Sequence, residues 1–366
     1  MNDKLPHISI VVLNWNGHED TIECLESVLK SDYQNFNVIL IDNNSEKESV
    51  AAIKQWLEKG SSKIDTKFPE LVLPPVKKPV KYKNISLNSG SDSELIALNS
   101  TKNDLIRNEL IFITLQENIG FAKGSNLGFK FAHLLYNSDY VMALNNDTVI
   151  ERDAIGKLIQ FMEKNKDAIA ATPAIYNYYE PEEIDNLGGF FTWTGRRDYI
   201  KEKRKDSIIP ITFATGCALI IRLMKDNPEY TYFSEKFFFG EEDYEFCYRM
   251  TKAGWKLYCL STSKVYHKIN VSADKLFHSK VDKIFIYFLN RLINMKDFYP
   301  VFYWWIWMNI IVGGVTIWLF KNTNFSLRTI FLFIFNLYRL GLSKQEVNKG
   351  TVNEIKKLSF LNESAV

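Results

Sequence analysis

Short apolar runs alternate with amphipathic segments along the first 60 residues of the chain. The apolar run at residues 8–13 is typical of a strand buried on both faces. Residues 21–29 follow with apolar side chains at helical spacing, and residues 37–41 form a second apolar run. A strand, a helix and a strand within about 35 residues predict a βαβ unit, which requires two parallel strands and a right-handed crossover.

The same alternation resumes at residue 110. Predicted strands at 110–115, 140–144 and 168–174 alternate with predicted helices at 122–135 and 154–164. Further on, the pattern predicts strands at residues 213–222 and 256–260 and a helix between them at residues 242–253. The chain is therefore predicted to form an α/β fold, an open and mostly parallel sheet with flanking helices.

Residues 60–107 interrupt this pattern. They are rich in Pro, Lys, Ser and Asn and show no sustained hydrophobic period. Such a composition is typical of surface segments rather than of core elements. We therefore predict that residues 60–107 are an insertion on the surface of the sheet domain.

Composition excludes several classes of protein. A formal net charge of +2 argues against a nucleic-acid-binding protein that works by bulk charge. The four cysteines contain no CxxC pair, so a zinc cage is not predicted. Scattered cysteines are typical of buried thiols in a reducing compartment, and the N-terminal residues do not resemble a secretory signal. We therefore expect the N-terminal domain to be cytoplasmic.

Polar residues lie where three of the predicted strands end, at residues 14–16, 42–45 and 145–147. Ligands of open α/β sheets bind beyond the carboxyl ends of the strands. Asn and Asp also end strands as ordinary turn residues, and that explanation suffices for any one of the three. Together the three segments indicate a ligand site.

The segment LNNDT places Asn145 and Asp147 at one of these strand ends. Hard cations such as Mg²⁺ and Mn²⁺ prefer oxygen ligands, and few protein carboxylates are needed when phosphates complete the shell. Asp147 is therefore a candidate ligand of a metal–diphosphate complex, with a plain turn as the alternative. Gly120, Gly124 and Gly128 recur at four-residue spacing, which favours close helix packing over a dinucleotide motif.

Four acids, Glu241, Glu242, Asp243 and Glu245, follow an aromatic run at the start of a predicted helix. Acids at a helix N-terminus also interact with the helix dipole, which is the simpler explanation. Crowded carboxylates beside buried aromatics raise at least one pKa, which is how a general base is made. Arg249 lies one helical turn from Glu245 and can hold an acid in place.

In their order along the chain, these motifs resemble the inverting family 2 glycosyltransferases with a GT-A fold, in particular the rhamnosyltransferase-like branch. The resemblance covers residues 8–295 apart from the insertion. It rests on seven segments, VVLNWNG, LIDNNS, ENIGFAKGSNLG, ALNNDT, TGCALIIR, FFFGEEDYEFCYRMTKAGW and VYHKINVS. Their joint order is specific, although each segment alone is not.

The resemblance implies a role for each matching residue. Asp243 would be the catalytic base beside Glu242, and Asp147 would bind Mg²⁺ or Mn²⁺ with help from His267. The substrate-binding residues implied are Trp15, Asn16, Asp42, Asn118, Gly120, Gly124, Asn145, Arg249 and Trp255. The implied donor is a nucleoside-diphosphate sugar, with dTDP-rhamnose favoured, and the implied acceptor is a glycan or a lipid-linked glycan in cell-surface polysaccharide synthesis. Asn145 departs from the family, in which Asp is common at this position.

Three other functions fit parts of the sequence. A sugar nucleotidyltransferase also binds nucleotides on an α/β fold, but this sequence lacks the N-terminal Gly-rich, Arg-bearing loop usual in that class. A dinucleotide oxidoreductase is disfavoured because there is no GxGxxG motif after the first strand. A non-catalytic membrane-associated scaffold could keep the nucleotide-sugar site, although Asp147 and Asp243 are both retained.

The C-terminal part of the chain is apolar and aromatic. Residues 298–320 carry no charge and are long enough to cross a bilayer, whereas the apolar part of residues 329–342 is shorter. Asn336 and Arg339 form a polar stripe on the second segment, which favours a position in the membrane interface. We therefore divide the chain into a glycosyltransferase-like domain at 1–295, a membrane-associated helical region at 296–345 and a polar tail at 346–366. The helical region is predicted to dip into the cytoplasmic face of the membrane as a hairpin.

Overall fold

The computed structural model describes residues 5–61, 63–91, 93–95, 109–268, 276 and 279–358. The strands that form the fold are β1 (Ile8–Asn14), β2 (Phe36–Asp42), β3 (Tyr82–Leu87), β4 (Leu110–Leu115), β5 (Tyr140–Asn145), β6 (Thr148–Ile150), β7 (Ala168–Asn177), β8 (Ile184–Asn186), β9 (Gly189–Phe191), β10 (Arg197–Tyr199), β11 (Ile208–Ile211), β12 (Ala218–Arg222) and β13 (Lys256–His267). The helices are α1 (His18–Val28), α2 (Lys47–Lys59), α3 (Pro69–Val72), α4 (Phe121–Tyr136), α5 (Ala154–Lys164), α6 (Glu242–Lys252), α7 (Lys280–Phe298), α8 (Val301–Asn322), α9 (Leu327–Ser343) and α10 (Lys349–Lys356), with a short 3₁₀ helix at Pro228–Thr231.

One large mixed sheet organises the molecule. Its strand order is β11-β13-β7-β12-β5-β1-β2-β4-β3, with β6 and β8 paired at the side of this path and β9 and β10 forming a separate hairpin. The five strands from β5 to β3 are all parallel, as the βαβ pattern predicts. The predicted α/β class with a largely parallel central sheet is confirmed. The antiparallel insertion of β12 between β5 and β7 is a feature that the alternation of elements did not predict.

Helices cover both faces of the sheet, because the central strands are apolar on both sides. On one face, α1, α2 and α5 pack over β1, β2 and β5. On the other face, α4 packs directly on β1, where Gly124 lies against Leu13 and Gly128 against Val11. A Cβ at Gly128 would lie 2.4 Å from Val11 Cγ1, so these glycines allow the close packing predicted from their spacing.

The predicted insertion at residues 60–107 is more integrated than its composition indicates. It contains α3 and the edge strand β3, which pairs in parallel with β4. Its first half is also anchored by the buried carboxylate of Glu26, which accepts hydrogen bonds from Val76 N at 2.7 Å and Lys78 Nζ at 3.2 Å. Most side chains of this half are exposed or half-buried, as in a surface segment, whereas Phe68, Val72, Ile85 and Leu87 are buried. Residues 96–107 lie outside the described residues.

The C-terminal region forms four helices rather than the predicted pair followed by a plain tail. Pro300 separates α7 from α8, and α10 lies within the predicted tail, with Val352 and Ile355 buried. Within the described residues, α8 alone is long and apolar enough to span a bilayer. The predicted polar stripe on α9 does not face solvent throughout, since Asn336 is buried and Arg339 reaches Glu354 of α10 at 3.2 Å.

Candidate active site

A cavity of about 510 Å³ opens where β1 and β5 end, at the edge of the sheet that the strand-end polar residues indicated. Its walls come from these strand ends, from the loop before α4, from the start of α6 and from α7. Of the predicted site residues, those that line it are Trp15, Asn118, Gly120, Asn145, Asp147, Glu242, Asp243 and His267. The structure thus brings together the base candidates and the metal candidates from distant parts of the sequence.

Asp147 and Asn145 present oxygens to this cavity. Asp147 Oδ1 lies 3.3 Å from His267 Nε2, but the contact lacks hydrogen-bond geometry. Among the described residues, neither Asp147 Oδ1 nor Asn145 Oδ1 has a hydrogen-bond partner, although both atoms are buried. Burial alone would lower the pKa of His267, yet Cys217 and Asp147 outweigh it and raise that pKa well above its usual range. Unpartnered buried oxygens of this kind are open to a cation or a ligand.

The loop before α4 forms a second wall. Asn118 Oδ1 accepts a hydrogen bond from Gly120 N at 2.9 Å, and Gly120 has a φ of 87°. A Cβ at Gly120 would lie 2.5 Å from Phe238 O, so only glycine fits between this loop and the chain before α6. Asn43 ties the same loop to β2 by accepting from Ile119 N at 2.9 Å.

Asp42 and Asn16 support the cavity from behind rather than lining it. Asp42 is buried and accepts hydrogen bonds from Asn14 Nδ2 at 2.6 Å and from Ser45 N at 2.9 Å. Asn16 Oδ1 accepts from Glu46 N at 2.7 Å. The carboxylate of Asp42 therefore holds the β1 and β2 ends together, and its contact with a nucleoside stays a prediction.

The acid cluster divides into separate environments. Asp243 accepts hydrogen bonds from Tyr244 N at 2.7 Å, Gly216 N at 3.2 Å and Arg197 Nη2 at 3.1 Å. Glu242 is buried beside it, and burial followed by the charge of Asp243 raises the pKa of Glu242. Burial is thus the larger cause of this raised pKa, and the crowding of carboxylates expected from the sequence is the second.

Glu241 is held by basic residues. Burial alone would raise the pKa of Glu241, but Arg291 and then Arg197 outweigh it and lower that pKa. Arg291 Nη2 and Asn294 Nδ2 each lie 3.2 Å from the Glu241 carboxylate. Glu241 therefore stays ionised beside Glu242, which favours the protonated form.

Three predicted site residues lie away from the cavity. Arg249 pairs with Glu245 at 2.7 Å and donates to Tyr232 O, so in this structure it holds α6 against the preceding loop. Trp255 packs against the hydrophobic core, and Gly124 contacts Leu13. None of the three lines the described cavity: Arg249 lies on α6 but contacts the preceding loop, Gly124 of α4 packs on β1, and Trp255 lies in the turn between α6 and β13.

The sequence did not single out Arg197, Lys283, Tyr287 and Asn290, which all line the cavity. Arg197 lies in a short hairpin without a motif, and the other three lie on one face of α7. The spacing of Lys283, Tyr287 and Asn290, four and then three residues apart, is the one local signal that marks this face.

The comparison with known proteins agrees with the geometry. The family model "Glycosyl transferase family 2" matches residues 9–68 and 79–226. Glycosyltransferase GlyG of Streptococcus pneumoniae serotype 4 is 23% identical over 198 residues, which make up 54% of this chain and 46% of the relative. The chain thus aligns with less than half of that protein's length.

Two solved structures are also similar. One is GalNAc-T7 with UDP, GalNAc and Mn²⁺, with a TM-score of 0.48 and 16% identity over 73% of this chain and 44% of that chain. The other is S. aureus TarS 1–349, with a TM-score of 0.47 and 13% identity over 92% of this chain and 81% of that chain. The family model covers more than half of the residues, and the chain belongs to glycosyl transferase family 2.

Proposed function

We propose that this chain is an inverting glycosyltransferase that moves a sugar from a nucleoside-diphosphate sugar to a hydroxyl of a glycan or lipid-linked acceptor. One observation carries the proposal. A single cavity holds an oriented carboxylate, Asp243, together with the buried, unpartnered oxygens of Asn145 and Asp147. A displacement at a sugar carbon needs a base on the acceptor side and charge stabilisation on the leaving-group side.

The residues present suit a divalent cation, Mg²⁺ or Mn²⁺. The described residues contain no cluster of three or more His, Cys, Asp or Glu, so protein side chains alone would not enclose a metal. Asp147 would hold it beside the Asn145 amide oxygen, and the donor diphosphate would complete the shell. His267 would join these ligands only by losing the proton that its raised pKa favours. Bound there, a cation would stabilise the negative charge of the departing diphosphate.

Asp243 takes the proton of the acceptor hydroxyl as that oxygen attacks the anomeric carbon. The bond from this carbon to the diphosphate oxygen breaks on the opposite face, so a single displacement inverts the centre. General-base assistance of this kind contributes typically about 10²–10⁴-fold. Trp15 lines the same cavity and offers an aromatic face to the nucleobase or the sugar.

The favoured donor is dTDP-rhamnose, through the resemblance of the motifs to rhamnosyltransferases. The acceptor side is the wall formed by α7, whose Lys283, Tyr287 and Asn290 offer polar groups for a glycan. Asn290 Oδ1 and Thr215 Oγ1 are buried atoms without hydrogen-bond partners within the described ranges. These atoms are available to sugar hydroxyls.

The chain works at the cytoplasmic face of a membrane, with a lipid bilayer surface as its partner. Along its whole length, α8 buries one face, from Trp304 to Leu319, against the protein. The opposite face exposes large apolar side chains over the same length, namely Val301, Phe302, Tyr303, Trp305, Ile306, Ile310, Ile317, Trp318 and Phe320. Lys321 and Arg328 are exposed beside this face, where anionic headgroups would attract them. A helix packed on protein along one side supports an in-plane position.

The experiment is a screen of nucleotide sugars with the purified full chain, with Mn²⁺ or with EDTA. We expect metal-dependent release of the nucleoside diphosphate from one donor, faster when an acceptor glycan is added. Binding of a nucleoside diphosphate without any sugar release from the panel would favour the non-catalytic scaffold. Formation of a nucleotide sugar from a nucleoside triphosphate and a sugar phosphate would identify a nucleotidyltransferase.

A further inference from the structure

The hairpin of β9 and β10 carries a buried arginine to the acid cluster. Arg197 Nη2 lies 3.1 Å from Asp243 Oδ1 and 3.3 Å from Glu241 Oε2. Its guanidinium also lies over the rings of Phe213 and Tyr244, with centroids at 4.8 Å and 5.5 Å. The ion pair is therefore shielded from solvent by aromatic walls, where Coulomb interactions are stronger than at the surface.

The tip of the same hairpin is held by the C-terminal helices. Gly195 O accepts hydrogen bonds from Tyr244 Oη at 3.0 Å and from Arg291 Nη1. Trp307 Nε1 of α8 donates to Thr194 O at 3.0 Å. The position of Arg197 thus depends on α7 and α8, which lie about 100 residues later in the chain.

The charges in this cluster are matched. Arg291 binds Glu241 from one side, and Arg197 lies between Glu241 and Asp243. Two guanidinium groups thus face the carboxylates of Glu241 and Asp243, while burial favours the neutral form of the third acid, Glu242. Glu241 also has a φ of 76°, a left-handed conformation that costs energy outside glycine and that these ion pairs hold in place.

We propose that Arg197 is a positioning residue for the base Asp243, and that α7 and α8 set its position by holding the hairpin tip. The inference rests on the proposed function. Arg197 and Tyr244 N both engage Oδ1, whereas Oδ2 is bound by Gly216 N at 3.2 Å. Oδ2 has one partner and so keeps the larger capacity to accept a proton from the acceptor hydroxyl. The Arg197 guanidinium fixes the orientation of the carboxylate through Oδ1.

The test compares Arg197→Gln with Arg197→Lys and uses Arg196→Gln as the control. Arg196 is the exposed neighbour on the same hairpin. We expect Arg197→Gln to lower kcat by at least about tenfold with little change in donor affinity, since the base and not the donor loses its partner. Loss of the cation favours protonation of the base, so the acidic limb of the kcat/KM profile should move to higher pH. Arg197→Lys should restore part of the lost kcat and part of the shift of the acidic limb. Arg196→Gln should have the kcat and the pH profile of the wild type.

A second variant tests the hold on the hairpin. Trp307→Phe keeps an aromatic ring against the hairpin but removes the Nε1 donor to Thr194 O. It should lower kcat in the same direction as Arg197→Gln, without loss of nucleotide binding by calorimetry. Unchanged kcat in Arg197→Gln and Trp307→Phe would overturn the inference. Loss of nucleotide binding in both Arg197→Gln and Arg197→Lys would overturn it as well. If the wild type turned over no donor, the proposed function would fail, and this inference with it.

Discussion

Adjacent acids in this protein have different properties because their partners differ. Asp243 is oriented by Arg197 and backbone N–H groups, Glu241 is neutralised by Arg291, and Glu242 has a raised pKa. A short acidic stretch thus supplies the proposed base, a structural ion-pair partner and a carboxyl group that favours protonation. Predictions at the residue scale follow from these differences.

The first prediction concerns the base. Asp243→Asn keeps the shape of the side chain but removes its ability to take a proton, so transfer should fall by at least about 10²-fold. Donor binding should persist, because the change lies on the acceptor side. Steady-state kinetics and calorimetry with the donor measure the two quantities separately. Normal turnover in this variant would remove Asp243 from the mechanism.

The second prediction concerns the metal-binding side. Asp147→Ala should weaken the Mn²⁺-dependent binding of a nucleoside diphosphate and leave the bare nucleoside almost unaffected. Trp15→Ala is the matched control, since Trp15 lines the same cavity without offering an oxygen ligand. Trp15→Ala should weaken the binding of both the nucleoside diphosphate and the bare nucleoside, because base stacking does not require a metal. Equal losses of affinity for the two ligands in Asp147→Ala would contradict this division of roles.

The third prediction concerns pH and stability. Because burial raises the pKa of Glu242, the folded state holds this proton more tightly than the unfolded state. The contribution of Glu242 to stability is therefore complete below its unfolded pKa and is lost as pH rises through the raised pKa. Glu242→Gln mimics the protonated form, so its stability relative to wild type should increase with pH in that window. Urea denaturation at several pH values would show no such trend if Glu242 were ionised in the folded protein.

Among the elements, the parallel strands and the helices between them were predictable because each is encoded by local periodicity. The secondary structure in the first half of residues 60–107 was not predicted, for the opposite reason. Its edge strand β3 has little apolar pattern of its own and is stabilised by pairing with β4. The buried carboxylate of Glu26, on the distant helix α1, then anchors the turn before it.

The fourth prediction tests this anchor. Glu26 accepts hydrogen bonds from Trp56 Nε1, Val76 N and Lys78 Nζ while fully buried. Glu26→Ala should lower the free energy of unfolding by about 3 kcal/mol, because it leaves the buried Trp56 Nε1 and two part-buried donors without this acceptor. Glu58→Ala, which removes an exposed acceptor of Tyr82 Oη on the same segment, should change it by less than about 0.5 kcal/mol. Equal effects of the two changes on urea unfolding would contradict the anchoring role.

At the scale of the whole molecule, the exposed apolar face of α8 is the largest departure from an ordinary protein surface. It belongs to a helix that packs on α7, which lines the cavity, so binding to a bilayer would bring the cavity close to a lipid-linked acceptor. This arrangement remains a prediction that depends on the membrane.

The fifth prediction tests it. Replacing Phe302, Trp305 and Ile306 by Ser should reduce co-sedimentation with anionic phospholipid vesicles, because these side chains expose apolar surface on one face. Tyr179→Ser, at an exposed aromatic elsewhere, should leave binding unchanged. A cysteine inserted after Val352 should resist an impermeant reagent added to intact cells, and the four native cysteines are buried. Labelling from outside would mean that the chain crosses the membrane.

The sequence by itself determined the α/β class, the alternation of parallel strands with helices, the family and the polar residues at the strand ends. Each of these depends on local signals, namely periodicity and short motifs in a set order. The identities of Asp147, His267 and Asp243 as cavity residues were predictable for the same reason, since motifs at strand and helix ends meet at one edge of a parallel sheet.

Only the tertiary structure decided which polar residues face the cavity and which support it. Asp42 turned out to bind Asn14 and Ser45, and Arg249 to hold the far side of α6. Arg197 and Arg291 reached the acid cluster from segments 44 and 50 residues from Glu241. Contacts between distant segments depend on how whole elements pack, and a buried charge is tolerated only where another element supplies its partner. The local sequence around a buried charge therefore does not identify the residue that pairs with it.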